Sequence, residues 1–114
     1  MSNNLEPRHE GPFPSPEMKS VRLAAVLKTF ADPIRLSIVQ RLDDGEYHSC
    51  GVDEWGFAIH KSTLSYHFRM LREAGVTETL VTGRERAVRL RRADLDGRFP
   101  RLLDTVLSNS LVDA

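Results

Sequence analysis

The residues best suited to recognition chemistry lie between Lys61 and Arg72. If this stretch is a helix turning about 100° per residue, Leu64, Phe68 and Leu71 share one side, which we expect to be buried. The opposite side and its edges carry Ser62, Thr63, Ser65, Tyr66, Arg69 and Glu73. Hydroxyls, a phenol and a guanidinium fit base edges and phosphates in a DNA major groove about 12 Å wide. The pattern therefore predicts a helix face that reads DNA.

Basic side chains beyond this helix extend the predicted surface. Arg84 and Arg86 fall at the tip of a predicted hairpin, within reach of flanking phosphates or the minor groove. His67 lies at the margin of the buried side, where it either packs on the preceding helix or contacts a phosphate. The predicted DNA-contacting residues are Lys61, Ser62, Thr63, Ser65, Tyr66, His67, Arg69, Arg72, Arg84 and Arg86. For Arg89, Arg91 and Arg92, both an outward strand face and a DNA-backbone contact remain open.

One cysteine, Cys50, raises the question of a sensor. A lone cysteine is most often a small buried hydrophobe, and the nearby Asp53 and Glu54 are expected to raise its pKa. The alternatives are thiol or redox sensing and metal binding with His48. Those two residues supply at most two ligands, so a four-coordinate zinc site needs others, such as His9. We predict no metal site and no cofactor.

Composition bounds the class of protein. The chain has 114 residues, with 40% hydrophobic and 28% charged residues, which is typical of a single globular domain. Its net charge is zero, yet the segment from His60 to Arg101 holds ten basic and five acidic residues, which indicates a local polyanion-binding face. A single cysteine excludes an intrachain disulfide. With neither a signal-peptide pattern nor an apolar run long enough to cross a bilayer, the sequence predicts a cytoplasmic protein without a membrane partner.

The chain divides into an N-terminal arm and one domain. Residues 1–16 hold four of the six prolines and few large apolar residues, which predicts a flexible arm. The domain spans residues 17–111. Its first helix is expected to begin at the Ser15-Pro16 cap and end near Phe30, and its second to begin at Asp32-Pro33 and end before Gly45.

In the second half of the domain, two further helices are predicted up to Gly75, and beyond it the spacing of the apolar residues becomes that of strands. A short third helix is predicted within residues 51–59, and a fourth from a Ser62 cap to Ala74, with Gly75 as its stop. Two β-leaning runs, 77–82 and 87–91, flank the predicted tip 83–86. An apolar stripe from Phe99 predicts one last helix between Asp94 and Leu111. The order α-α-α-α-β-β-α is mainly helical with a small β-hairpin (α+β), and it predicts a winged helix-turn-helix.

Three segments together resemble a known family. Residues 30–36, 61–68 and 71–76 (FADPIRL, KSTLSYHF and LREAGV) are similar, in order and spacing, to the ArsR/SmtB, or arsenic-repressor-type, winged-helix regulators. The resemblance covers about residues 18–107. It implies a homodimeric repressor whose fourth helix binds operator double-stranded DNA, expected to be an inverted repeat, until an inducer, unknown here, releases it.

The resemblance also implies that the first and last helices form the dimer interface. The expected interface residues are Val21, Ala24, Leu27, Phe99, Leu102, Leu103, Val106 and Leu107, although the apolar stripe of the last helix is also compatible with intrachain core. Many members sense metals through paired cysteines in the third helix, or through His and Asp/Glu ligands in the last helix. This chain departs from both patterns, since Cys50 is single and residues 94–111 hold neither His nor Cys.

Two other function classes were considered. An enzyme is not predicted, because the sequence has no glycine-rich phosphate loop, no paired carboxylates in an apolar setting and no Cys/His nucleophile pair with an orienting third group. A winged-helix protein-interaction module without DNA binding is the remaining alternative. Against it, the exposed face of the fourth helix lacks the several aromatic anchors that protein interfaces favour.

Overall fold

The structure, a computed structural model, describes residues 11–113, with side chains through Ser110. Helices occupy most of this range. Their bounds are α1 Leu23–Phe30, α2 Pro33–Arg41, α3 Val52–Trp55, α4 Lys61–Glu73, α5 Arg92–Arg98 and α6 Leu102–Asp113, with 3-10 turns at Met18–Ser20 and Leu42–Asp44. Within the same range one antiparallel sheet contains β1 Gly11–Pro12, β2 His48–Ser49, β3 Thr77–Thr82 and β4 Glu85–Leu90. The helix-turn-helix and the hairpin wing are both present, as predicted.

Helix α2 begins where the sequence predicted. The Asp32 carboxylate accepts hydrogen bonds from the backbone N–H groups of Ile34 (2.8 Å) and Arg35 (3.1 Å), while Pro33 occupies the first turn. At the other end, Gly45 follows the 3-10 turn with a φ of 81°. The Asp-Pro start and the glycine stop are therefore confirmed.

Helix α1 starts later than predicted. The Ser15-Pro16 cap does not form, and regular helix begins only at Leu23. Val21 and Arg22 are instead extended, and Val21 is only 3% exposed because its side chain packs against the Gly75 turn. Burial of one valine against another element thus overrides the local helix-start signal.

Helices α3 and α4 differ from prediction in length and capping. The third helix is a single turn ending at Gly56, which has a φ of 69°. Helix α4 begins at Lys61, with extended His60 as its N-cap residue and no side-chain cap, so Ser62 lies in the first turn. Its predicted stop is confirmed, because Gly75 follows the helix with a φ of 86°.

The wing is a tight hairpin. Strands β3 and β4 pair in register from Thr77 opposite Leu90 to Thr82 opposite Glu85. Only Gly83 and Arg84 form the turn, so the tip is shorter than predicted and Arg86 belongs to the strand.

Two short strands that the sequence did not indicate complete the sheet in the order β1-β3-β4-β2. In β1, Gly11 pairs with Val81 and Pro12 with Leu80. Residues 11–16 of the expected flexible arm thus follow the wing edge in the structure, and residues 1–10 lie outside the described part of the chain, so the flexibility of the arm stays a prediction. Proline fits there because it sits on an edge strand.

The prediction of a single last helix is wrong. Two helices, α5 and α6, are separated at Phe99-Pro100-Arg101, where Arg101 has a φ of 67°. Pro100 lacks the N–H that would continue α5, so the chain turns before α6 begins.

One apolar core holds the domain together. It joins α1, α2, α4, the wing and α6, and its most buried members are Val26, Ile38, Leu71, Val88 and Leu103. Among the described residues, no helix is both long and apolar enough to span a membrane.

Candidate DNA-binding surface

Helix α4 presents the predicted polar face. Leu64, Phe68 and Leu71 are 1%, 6% and 0% exposed, which confirms the predicted buried side. The exposed residues of the same helix are Lys61, Ser62, Thr63, Ser65, Tyr66, Arg69 and Glu73. The helical periodicity in the sequence was therefore sufficient to predict which of these side chains are buried and which are exposed.

Helix α3 supports α4 through Trp55. The indole N–H donates to the carbonyl of Ser49 at 2.8 Å, and the ring meets Phe68 edge-on with centroids 5.6 Å apart. The Arg41 guanidinium lies 4.9 Å from the Trp55 ring centroid and donates to its carbonyl at 3.0 Å. These contacts fix the position of α4 relative to α2 and β2.

A groove of about 680 Å³ runs between α4 and the sheet. It brings together most of the predicted DNA-contacting side chains of α4 with Arg86 of the wing. Its lining residues are Cys50, Lys61, Ser62, Ser65, Tyr66, Phe68, Arg69, Arg72, Thr79 and Arg86. Arg84 is exposed at the wing turn, and Thr63 is exposed on α4 outside this lining.

The arginines of this groove contact aromatic rings. Arg69 lies 5.5 Å from the ring centroid of Tyr66, and Arg72 and Arg86 lie 4.4 and 4.7 Å from that of Phe13. Burial, together with the neighbouring Arg86, lowers the pKa of Arg72, although a guanidinium stays protonated. Three arginines and Lys61 thus face one groove.

His67 lies on the buried side of α4. It is 6% exposed, and its Nδ1 lies 3.3 Å from Nη1 of Arg35, a group that can only donate. The Nε of Arg35 in turn donates to the carbonyl of Thr29 at 2.9 Å. This environment favours packing against the preceding helices, one of the two interpretations open from the sequence, while the phosphate contact of His67 stays a prediction.

The last three arginines considered from the sequence are held by carboxylates or carbonyls. Arg89 donates from Nε and Nη2 to Oε2 of Glu78, at 3.1 and 2.9 Å. Arg91 donates to the carbonyl of Pro16 at 2.8 Å and approaches Asp94 at 3.4 Å. Arg92 pairs with three aspartates: Asp43, Asp96 and Asp104. These contacts favour the structural interpretation of all three.

His48 and Cys50 do not form a joint site. The imidazole of His48 lies between Glu54 Oε2, 3.1 Å from Nδ1, and Asp44 Oδ2, 2.8 Å from Nε2. Cys50 lies in the groove, where burial raises its pKa to about 11 against the opposing effect of Arg86 and Arg72. The direction agrees with the sequence expectation, but the cause is burial and not the neighbouring carboxylates. Within residues 11–113 no cluster of three or more His, Cys, Asp or Glu side chains suits a metal ion.

The expected dimer residues divide into two groups. Val21, Leu103 and Leu107 are 3%, 1% and 7% exposed and belong to the chain's own core, which favours a role within the chain over the predicted role at an interface. Ala24 is exposed and Leu27 is 46% exposed. Phe99, Leu102 and Val106 are partly buried against the core.

Sequence reasoning missed Phe13 as a member of this surface. The only local signal was a large aromatic residue within a proline-rich segment, which does not show what the ring contacts. Arg35 was missed as well, because nothing local indicates that a helix-surface cation bonds to a buried histidine 32 positions away.

Comparisons with known proteins agree with this geometry. Residues 30–79 match the protein family described as a helix-turn-helix domain. The chain is 38% identical over 84 residues to YceK, an uncharacterised helix-turn-helix-type transcriptional regulator of Bacillus subtilis, covering 73% of this chain and 84% of that protein. It is 40% identical over 70 residues to the biofilm growth-associated repressor of Agrobacterium fabrum, covering 61% of this chain and 59% of that protein.

Two solved structures share the fold. An ArsR-like transcriptional regulator from Rhodococcus sp. RHA1 superposes with a TM-score of 0.57 at 22% identity, over 80% of this chain and 87% of that one. A possible transcriptional regulator for arsenical resistance gives a TM-score of 0.56 at 30% identity, over 77% of this chain and 94% of that one. With the sequence relatives and the geometry of α4 and the wing, these place the chain in the ArsR-like family of winged helix-turn-helix transcriptional regulators, which bind DNA.

Proposed function

We propose that the protein is a homodimeric repressor that binds an inverted-repeat operator and leaves it when an effector binds. The supporting observation is the groove, where the hydroxyl-rich face of α4 lies beside three arginines, Arg69, Arg72 and Arg86. Repression itself is suggested by the relatives that are named repressors. The proposal assigns no catalytic activity.

In this proposal the two halves of the surface have different tasks. Ser62, Thr63, Ser65 and Tyr66 contact base edges in the major groove and carry the discrimination between sequences. Lys61, Arg69, Arg72, Arg84 and Arg86 neutralise phosphates, which sets the position of the protein and makes binding depend on salt.

Dimerisation is proposed from the exposed side of α1. Leu23 and Leu27 are 45% and 46% exposed, one helical turn apart, with exposed Ala24 between them. Apolar side chains that cluster on an exposed helix face are typical of an interaction surface. A second copy fits because a twofold dimer places two α4 helices on half-sites about one DNA turn apart.

Binding to the DNA upstream of its own gene, titrated at several salt concentrations, tests the repressor proposal. We expect a specific complex that resists competitor DNA and weakens steeply with salt. Arg84→Ala should weaken binding to every duplex, whereas Ser65→Ala should reduce the preference for operator over unrelated DNA.

Arg89→Ala is the matched control for Arg84→Ala, because Arg89 lies on the same hairpin but pairs with Glu78. We expect the control to change affinity less than about twofold. Weak binding by the wild-type protein, indifferent to sequence and unaffected by Arg84→Ala, would favour the protein-interaction module.

A further inference from the structure

The segment from Gly11 to Pro16 is fastened to the wing at both ends. At its start, β1 pairs with β3, and the backbone N–H of Phe13 donates to the carbonyl of Thr79 at 2.8 Å. At its end, the carbonyl of Pro16 accepts a hydrogen bond from Nη1 of Arg91 at 2.8 Å. The backbone around Phe13 is therefore held against the sheet, beside the groove.

The Phe13 ring contacts two guanidiniums from different elements. Arg72 comes from α4 and Arg86 from β4, and their guanidinium carbons lie 4.4 and 4.7 Å from the ring centroid. Burial, and after it the neighbouring positive charge of Arg86, lowers the pKa of Arg72, as expected for two guanidiniums that repel each other. A shared aromatic ring attracts both and keeps them together at the groove.

Arg72 and Arg86 differ from Arg89 and Arg92 in that no carboxylate pairs with them in the described part of the chain. Arg89 and Arg92 pair with carboxylates, which cancel their charge. Within the described residues, Arg72 and Arg86 contact Phe13 and form no ion pair with a carboxylate. An aromatic face orients a guanidinium without neutralising it, so the charge stays available to an anion in the groove.

We propose that Phe13 is a positioning residue for DNA binding, which holds Arg72 and Arg86 ready for backbone phosphates while leaving their charge intact. In consequence, the segment 11–16, whose strand β1 pairs with β3, is a functional part of the wing. The inference rests on the proposed function, since the anion it names is a DNA phosphate.

The test compares Phe13→Leu, which keeps an apolar side chain without an aromatic face, with Phe13→Tyr, which keeps the ring. The probes are the DNA upstream of the gene and an unrelated duplex of about 30 base pairs. We expect Phe13→Leu to weaken binding to both duplexes by about fivefold and Phe13→Tyr to stay within about twofold of wild type. The Tm of all three proteins should agree.

A double-mutant cycle separates positioning from a general structural role. Introduced into a protein that already carries Arg72→Ala and Arg86→Ala, Phe13→Leu should have no further effect on affinity, because nothing remains to be positioned. A further fivefold loss in that background overturns the inference.

Three other outcomes also decide the question. If Phe13→Leu binds the duplexes with the same affinity as a wild-type protein that does bind them, the inference is overturned but the proposed function is not. Tighter binding by Phe13→Leu overturns it in favour of a segment that masks the arginines. If the wild-type protein binds neither duplex, the proposed function fails and the inference fails with it.

Discussion

At the scale of single residues, the two ring nitrogens of His48 each face a carboxylate. This arrangement suits an imidazolium that donates to both Glu54 and Asp44. The hydrogen bond with Glu54 is the largest effect and raises the pKa of His48 above its ordinary 6.5, with burial opposing it and Asp44 adding to it. Because Asp44 ends the 3-10 turn before β2 and Glu54 belongs to α3 after it, the protonated ring links these two elements across this edge of the sheet.

We predict that this link stabilises the fold only in acid to neutral solution. A group whose folded pKa is raised contributes fully below its unfolded pKa of 6.5, and the contribution disappears as the pH rises through the folded value. The Tm of His48→Gln should therefore fall below that of wild type by an amount equivalent to about 1 kcal/mol near pH 5.5, and much less near pH 8.5. A Tm difference that is the same at both pH values would contradict the prediction.

Residue-level signals were reliable where the contact is local. The Asp32 cap was predictable because the carboxylate bonds to N–H groups two and three positions away. The environment of His67 was left open, since its partner Arg35 lies on another helix. Phe13 was missed for the same reason, because the two arginines it contacts are distant in sequence.

At the scale of elements, the turn after α4 determines how α4 packs against the segment that leads into α1. Gly75 has a φ of 86°, and a Cβ on it would lie 2.3 Å from Cγ2 of Val21, a buried and stiff β-branched side chain. The turn thus needs glycine for two reasons, its backbone conformation and its lack of a side chain.

Gly75→Ala should therefore destabilise the protein more than a backbone effect alone allows. Gly45→Ala is the matched control, because Gly45 has a similar φ of 81° but open space around its Cα. We expect the free energy of unfolding to fall by about 1 kcal/mol for Gly45→Ala, from strain alone, and by about 3 kcal/mol for Gly75→Ala. Urea denaturation of both variants measures the difference. Equal losses of unfolding free energy would show that the Val21 side chain can move aside without destabilising the protein.

Elements were predictable from the sequence in proportion to their length. The apolar periodicity of α4 and the alternating wing strands gave correct types and nearly correct bounds. The two-residue strands β1 and β2 carry no periodicity and exist only because an edge strand was available for pairing. The break between α5 and α6 was not predicted because the apolar stripe from Phe99 indicates one continuous helix, whereas Pro100 prevents α5 from continuing into α6.

At the scale of the whole molecule, charge is distributed unevenly although the net charge is zero. The basic excess between His60 and Arg101 was visible in the sequence, but which cations are free was not. The structure resolves this, because Arg89 and Arg92 are paired with acids while Arg72 and Arg86 line the groove. Positive charge without an acidic partner is thus concentrated in the groove of a protein whose net charge is zero, where the proposed function places DNA.

The exposed leucines of α1 make the proposed dimer testable at this scale. A carboxylate buried at an apolar interface is costly, so Leu27→Glu should separate the subunits. Lys28→Glu is the control: it introduces the same group at the next position, roughly 100° round the helix, on another exposed side chain. Sedimentation velocity should show a dimer for wild type and Lys28→Glu, and a monomer for Leu27→Glu.

The Tm of the protein should also depend on the equilibrium between monomer and dimer. If folding is linked to association, the Tm of the wild-type protein rises with protein concentration, and that of Leu27→Glu does not. Operator affinity of Leu27→Glu should fall by roughly a hundredfold or more, because one subunit contacts a single half-site. A monomeric wild-type protein whose Tm is independent of concentration would contradict the dimer. It would leave the proposed DNA-binding surface of each subunit intact, since a single chain supplies the groove lining from α4, the wing and Cys50, together with Phe13 beside it.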